Sequence, residues 1–221
     1  MTLSHNGLVA QLAQPDQASL VKCCKPSELQ VGQILSTPEA GHRHVYFLVD
    51  ATVASVVRDG NHAGLAVGLT GNEGAVGLQC ALGLGAGTFT LLVQSPGLAW
   101  CADGDALQRL VGRRPAMLMA FSRYMWSVSQ EVATLAACSQ IQDIRARLAG
   151  WILMSDARNG HRTLHLTHAH VADMLGVRRA SVTLAAVSLK EQGLVEYQRG
   201  SIRILDRDGL AAVSCWPVRP P

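Results

Sequence analysis

Two adjacent arginines, Arg178 and Arg179, carry the most specific chemistry in this sequence. An arginine can donate two hydrogen bonds to O6 and N7 of a guanine, and the hydroxyl of the nearby Ser181 could donate to a phosphate. The alternative is that both arginines are solvated on an ordinary surface helix. The candidate DNA-binding set that we take from the sequence is Thr167, Arg178, Arg179, Ser181, Thr183 and Arg199.

The residues before Arg178 predict a short helix. Thr167 suits the N-cap position, because its hydroxyl can accept a hydrogen bond from a backbone N–H of the first turn. Val171, Met174 and Leu175 form one apolar face. Gly176 ends the helix, since glycine reaches the left-handed conformation that a tight turn needs.

A second helix is predicted from about Arg178 to Gln192, with Gly193 as its stop. Its inward-facing residues are Val182, Ala185, Ala186 and Leu189. The β-rich segments 194–197 and 201–205 predict a hairpin that carries Arg199 at its tip. Two helices joined by a turn and followed by a hairpin form a winged helix-turn-helix, so the segment 166–189 would dock in the major groove of DNA.

A long helix is predicted upstream, beginning near Arg114 and Pro115. Its apolar residues recur at alternating spacings of three and four, which is the pattern of a helix that pairs with a second helix. The alternative is an amphipathic helix that packs on its own domain. The members of this predicted dimer seam are Leu118, Phe121, Met125, Val128, Val132 and Leu135. Beyond the seam, Ile144, Leu148, Trp151 and Ile152 predict a core-facing helix.

The first 113 residues predict short strands separated by glycine-bearing breaks. The β-rich segments are 45–49, 51–57, 65–69 and 88–93. Several short strands at such spacing indicate an antiparallel sandwich or barrel. We therefore expect an α+β chain with a sensory β domain at 1–113, a dimerisation helix at 114–140 and a DNA-binding domain at 141–221.

The distribution of charge agrees with this division. The first 113 residues hold six Lys or Arg against eight Asp or Glu, whereas the rest hold thirteen against eight. An excess of positive charge in the C-terminal half favours a polyanionic partner. The sequence shows neither a signal peptide nor an apolar run long enough to span a membrane, so we expect a cytoplasmic protein with reduced cysteines.

The segment from Leu166 to Thr183, with the hairpin after it, closely resembles the helix-turn-helix and wing of the CRP/FNR (cyclic-AMP receptor / fumarate-nitrate regulator) transcription factors. The resemblance implies a jelly-roll sensory domain, a homodimer joined along the long helix, and a palindromic operator. It also implies that Arg179 reads a base and that Ser181 contacts a phosphate. The family's glutamate falls at Ala180 and its later arginine falls near Leu184, so the operator should differ from the family's best-known consensus.

The sensory half departs from the cyclic-nucleotide members of that family. Glu73 could stand for their ribose-binding glutamate, but no Lys or Arg lies between Asp59 and Gln108 to hold a cyclic phosphate. Glu73 is better interpreted as a turn carboxylate, and we expect no control by cyclic AMP. The effector-binding residues stay unknown.

Cofactor and metal chemistry find little support in the sequence. The adjacent Cys23 and Cys24 do not offer the ligands of an iron–sulfur sensor, and the six cysteines are best interpreted as buried, inert thiols rather than a redox switch. The histidines at 161, 165, 168 and 170 lack a cysteine or carboxylate at ligand spacing. We therefore expect neither a cofactor nor a metal.

Two other functions stay open. His42 and His44 resemble the metal-binding pair of cupin enzymes, but the glutamate of that motif is replaced by Leu48 and Val49. The chain could instead be an architectural DNA-binding protein without an effector. As partners we expect double-stranded DNA, a second copy of the chain, RNA polymerase and a small-molecule effector of unknown chemistry.

Overall fold

The computed structural model describes residues 2–41, 43–58, 64–84, 87–160, 163–198 and 200–216. These residues divide into two compact units. The first lies within 1–55 and 69–130, and the second lies within 56–68 and 131–221.

The first unit begins with helices where the sequence analysis predicted only strands. A 3-10 turn at Leu3–His5 precedes α1 (Gly7–Ala10) and α2 (Gln14–Cys23). The wholly buried Asn6 caps α1 by accepting a hydrogen bond from the N–H of Val9 at 3.1 Å. Helix α2 buries only Asp16 and Leu20, so it lacks the apolar stripe by which a helix is recognised in sequence.

Antiparallel strands form the body of the N-terminal half, as predicted. The strands are β1 (Cys24–Leu29), β2 (Ile34–Ser36), β3 (His44–Leu48), β4 (Thr52–Val57), β5 (Leu65–Thr70), β6 (Ala75–Val76), β7 (Thr90–Ser95) and β8 (Gly97–Asp103). One sheet has the order β1-β8-β3-β6 and the other has the order β2-β7-β4-β5. Strand β8 pairs antiparallel with both β1 and β3. Four predicted segments correspond to β3, β4, β5 and β7, whereas β1, β2, β6 and β8 were not predicted.

Two helices follow β8. Asp103 caps α3 (Gly104–Val111) by accepting a hydrogen bond from the N–H of Ala106 at 2.9 Å. The long helix α4 spans Pro115–Ile141, so its predicted start is confirmed. Arg114 ties this start to α2 by donating to Asp16 Oδ1 and to Ser19 Oγ, both at 3.1 Å.

The first turns of α4 belong to the core of the first unit. Met117 and Phe121 are wholly buried, and the ring centroid of Phe121 lies 6.0 Å from that of Phe47 in β3. Met125 packs against the same core. The predicted dimer seam is therefore wrong at Phe121, which packs on its own domain, whereas at the partly buried Met125 it stays a prediction.

A different face of α4 carries exposed apolar groups. Trp126 is 67% exposed and Met119 is 55% exposed. With Ser122, Ala133 and Ala137, which are also exposed, they follow spacings of three, four, seven and four along the helix. We call these five residues the α4 stripe. Side chains at this spacing lie on one face of a helix.

The second unit contains the predicted winged helix-turn-helix. Its elements are α5 (Ile144–Arg158), β9 (Leu164–His165), α6 (His168–Leu175), α7 (Arg179–Glu191), β10 (Val195–Gln198), β11 (Ser201–Ile204) and α8 (Arg207–Val213). Helix α5 begins at the N-cap Asp143 and buries Leu148, Trp151 and Ile152, as the sequence predicted. The three strands form a small sheet in the order β10-β11-β9. Among the described residues, no helix is long and apolar enough to cross a membrane.

Candidate nucleic-acid interface

Helix α6 is fixed at both ends by the residues that the sequence predicted. The hydroxyl oxygen of Thr167 accepts a hydrogen bond from the N–H of His170 at 3.1 Å. At the other end Gly176 adopts the left-handed conformation, with φ of 63°. Because Thr167 is exposed and uses only its acceptor here, its O–H can still donate to a phosphate.

Helix α7 presents an uncapped and strongly positive N-terminus. Arg178 occupies the N-cap position without a side-chain hydrogen bond to the helix, and Arg179 begins the first turn. Both side chains are exposed. Free N–H groups and the helix dipole add to the two guanidinium charges, so this end of α7 suits an anion such as a DNA phosphate.

Thr183 holds the first turn of α7 against α6. Its hydroxyl donates to the carbonyl oxygen of Arg179 at 3.1 Å and lies 3.0 Å from Nδ1 of His168. Since the hydroxyl proton is already donated, the Nδ1–H tautomer of His168 completes the contact. Thr183 therefore connects the first turn of α7 to α6, and its predicted contact with DNA stays a prediction.

The histidines of α6 belong to this packing. The ring of His168 meets the ring of Tyr197 from β10 edge-on, with centroids 5.1 Å apart. Burial, and then the charge of Arg179, lowers the pKa of His168. Burial also lowers the pKa of His170, against a smaller opposite effect of Asp173. Both rings are therefore neutral packing groups near neutral pH.

The middle of the exposed face of α7 is apolar. Ala180 is exposed, Leu184 is 72% exposed and Val187 is 47% exposed. In the major groove, an apolar side chain can contact the methyl group of thymine. The sequence analysis noted only that Ala180 and Leu184 stand where the family has a glutamate and an arginine. Three apolar residues at helical spacing on the solvent-facing side of α7 would have indicated this surface.

Arg199 lies outside the described residues, and Ser181 is half-buried in the first turn of α7. The hairpin that should carry the wing is present, with Val195 opposite Ile204 in an antiparallel pair. Arg203 of β11, which the sequence analysis did not single out, lies on an exposed face and donates to Glu196 at 2.7 Å.

The turn around Glu73 is occupied by the chain itself. Both carboxylate oxygens of Glu73 accept from the N–H of Gly71 at 3.0 Å, which confirms the interpretation as a turn carboxylate. Gly7 donates to the carbonyl oxygen of Asn72 at 2.6 Å, and the amide of Asn6 donates to the carbonyl oxygen of Gly74. The N-terminal segment is thus bonded to the turn that would have to receive a ribose.

Several cysteine side chains show the chemistry of buried thiols. All six are free. Burial raises the pKa of Cys24 to about 12 and also raises the pKa of Cys80 and of Cys101. Thiols with a raised pKa are poor nucleophiles at neutral pH. No cluster of three or more metal-ligating side chains occurs in the described part of the chain, and His42 and His161 lie outside it.

Comparisons with known proteins give the same picture. Residues 146–213 match the model of the Crp-like helix-turn-helix domain. A comparison with curated proteins finds no match.

Solved structures with the same fold span nearly the whole chain. A transcriptional regulator assigned to the CRP/FNR family from Eubacterium rectale is 15% identical, with a TM-score of 0.73 over 95% of this chain and 98% of that one. FixK2 from Bradyrhizobium japonicum is 14% identical, with a TM-score of 0.74 over 86% of this chain and 97% of its own. The c-di-GMP responsive regulator CLP from Xanthomonas campestris is 13% identical, with a TM-score of 0.71 over 87% and 99%. The C-terminal domain of this chain is therefore a Crp-like helix-turn-helix domain, and the chain has the fold of the CRP/FNR transcriptional regulators.

Proposed function

We propose that this chain is a sequence-specific transcriptional regulator that binds DNA as a homodimer. The observation that carries the proposal is the exposed pair Arg178 and Arg179 at the uncapped N-terminus of α7. Thr167 and Thr183 support it by fixing the helices that present this pair. A role on chromosomal DNA implies that the protein is cytoplasmic and that it controls the access of RNA polymerase to a promoter.

The homodimer is proposed to form along the α4 stripe. An exposed tryptophan in line with small residues on a long helix offers an apolar surface that a second copy of the same helix could cover. The three regions of the chain would then have the roles that the sequence analysis expected, as a sensory domain, a dimerisation helix and a DNA-binding domain. Two copies related by a two-fold axis require a palindromic operator.

Control by a cyclic nucleotide is not part of the proposal. Glu73 is bonded to its own turn, and Asn6 and Gly7 are bonded to the residues beside it. A buried cyclic phosphate also needs a cation or a set of N–H donors to offset the cost of removing it from water. The sequence supplies no cation between Asp59 and Gln108.

Selection of binding sites from random duplex DNA by the full chain tests the proposal. We expect an inverted repeat whose half-site centres are about one helical turn, roughly 10–10.5 base pairs, apart. Enrichment of no motif would contradict sequence-specific regulation and favour the architectural alternative.

A further inference from the structure

The second unit encloses a cavity of about 110 Å³ that the proposed DNA-binding role does not use. Its walls come from β5, the C-terminal turns of α4, α5 and the segment after α8. Most of the described lining residues are apolar, and Leu65, Leu135, Trp151, Leu175 and Trp216 provide the larger side chains.

The size of the cavity limits what it can hold. An engineered apolar cavity of roughly 150 Å³ stays dry and binds benzene. A cavity of about 110 Å³ therefore suits the apolar body of a small molecule, of the size of one aromatic ring or a short branched chain. Burying such a body is favourable because it removes apolar surface from water.

Arg147 is the one charged side chain among the described lining residues. Its guanidinium donates to the carbonyl oxygen of Leu175, the last residue of α6. No carboxylate of the described residues pairs with it. A half-buried cation that is satisfied only by a neutral carbonyl lacks a countercharge, which is costly away from water.

The other polar groups that line the cavity do not supply an anion for Arg147 either. The Cys138 thiol donates to the carbonyl oxygen of Cys215 at 3.0 Å, and Ser139 donates within α4. Burial raises the pKa of Cys215 to about 12, so this thiol stays neutral. Trp151 adds a second donor, because its indole N–H is buried without a hydrogen-bond partner among the described residues.

We propose that this cavity is a binding site for a small apolar carboxylate. The apolar body would contact Trp151, Leu135 and Leu65, and the carboxylate would accept hydrogen bonds from the Arg147 guanidinium and the Trp151 indole. An anion is favoured over a neutral ligand because it supplies both the missing countercharge and the missing acceptor. Glu73 does not line this site, and Arg147 links the site directly to the end of α6.

Calorimetric titration of the full chain with benzoate, and with benzyl alcohol as a neutral molecule of similar size, tests the proposal. We expect benzoate to bind at least roughly tenfold more tightly, as an added charge-assisted contact of about 1.4 kcal/mol would give. Arg147→Gln should abolish this preference, while Arg145→Gln, at a half-buried position of α5 that does not line the cavity, should keep it.

A second variant separates the site from the charge. Ser139→Phe should fill the cavity and weaken both ligands, whereas Gln142→Phe, at an exposed position outside the lining, should not. Equal affinity for the two ligands, no binding of benzoate at millimolar concentration, or unchanged binding in Ser139→Phe would each overturn the proposal. The titrations contain no DNA, so their failure is distinct from a failure of the proposed function.

Discussion

At the scale of single residues, Arg178 and Arg179 play different parts although they are neighbours. Arg178 is the N-cap, with extended backbone angles of −70° and 140°, so its side chain leaves the helix at its entrance. Arg179 lies in the first helical turn, and the hydroxyl of Thr183 fixes its carbonyl group. A base-reading side chain needs a fixed starting point, which favours Arg179 as the reader and Arg178 as a phosphate contact.

Replacing Arg179 with alanine should therefore reduce discrimination rather than binding in general. We expect a loss of roughly 1–3 kcal/mol between the selected operator and an operator changed at one base pair per half-site. Fluorescence anisotropy with both duplexes measures this difference. Lys190→Ala, in the last turn of the same helix, should leave it unchanged. An equal loss of affinity for specific and random DNA would contradict base reading by Arg179.

Leu184 should read a thymine methyl group. Its side chain is 72% exposed on the face of α7 that would meet the bases. Replacing one thymine per half-site with uracil removes that methyl, which should cost roughly 0.8 kcal/mol, or about fourfold in affinity, for each half-site. In Leu184→Ala the same base change should cost almost nothing, whereas in Lys190→Ala, at an exposed position in the last turn of α7, it should cost as much as in wild type. Identical costs in wild type and Leu184→Ala would remove this contact.

At the scale of elements, α6 depends on two histidines that the fold keeps neutral. Burial and the charge of Arg179 lower the pKa of His168, and burial lowers the pKa of His170. The stabilisation is therefore complete above the ordinary histidine pKa of 6.5 and is lost as the pH falls through the lowered value. Between about pH 7.5 and about pH 5, the unfolding temperature should fall less in a His168→Gln, His170→Gln variant than in wild type. The exposed His44→Gln should follow wild type, and identical slopes in all three proteins would contradict this role.

The N-terminal segment and the Glu73 turn should exclude cyclic nucleotides. Gly7 and Asn6 are bonded to the residues around Glu73, and Glu73 is bonded to Gly71. A nucleotide would have to break these hydrogen bonds and bury its phosphate without an arginine. Calorimetric titrations with cyclic AMP and cyclic GMP should show no binding, and a micromolar dissociation constant for either would refute this prediction.

The elements of the helix-turn-helix were the ones that the sequence predicted best. Thr167 and Gly176 are strong local signals, because an N-cap hydroxyl and a left-handed glycine each act within a few residues. Helix α2 gave no such signal, since it buries one apolar residue and is held by the ion pair of Asp16 with Arg114, far away in sequence. The cavity around Arg147 was also beyond sequence reasoning, because Leu65, Leu175 and Trp216 meet only in the folded chain.

At the scale of the whole molecule, the spacing of apolar residues on α4 allows two interpretations, and only the burial of each residue decides between them. Spacings of three and four are shared by a dimer seam and by a helix that packs on its own domain. Phe121 belongs to a helix face that packs on its own domain, since it is wholly buried beside Phe47. The α4 stripe, which shares no residue with the predicted seam, is the face that we propose for the partner helix, and it contains the exposed Trp126.

A charge at Trp126 and a truncation at Phe121 should therefore have opposite consequences. Trp126→Asp would place an unpaired charge in the proposed interface, so sedimentation at micromolar concentration should show a monomer with an intact fold. Phe121→Ala would leave a cavity in the first unit and should lower its free energy of unfolding by about 3–5 kcal/mol while the protein stays dimeric. A wild-type monomer, or a Trp126→Asp dimer, would exclude the α4 stripe as the interface.

Because half-site spacing depends on the two-fold axis, a monomeric Trp126→Asp variant should also bind a single half-site as well as it binds the full operator.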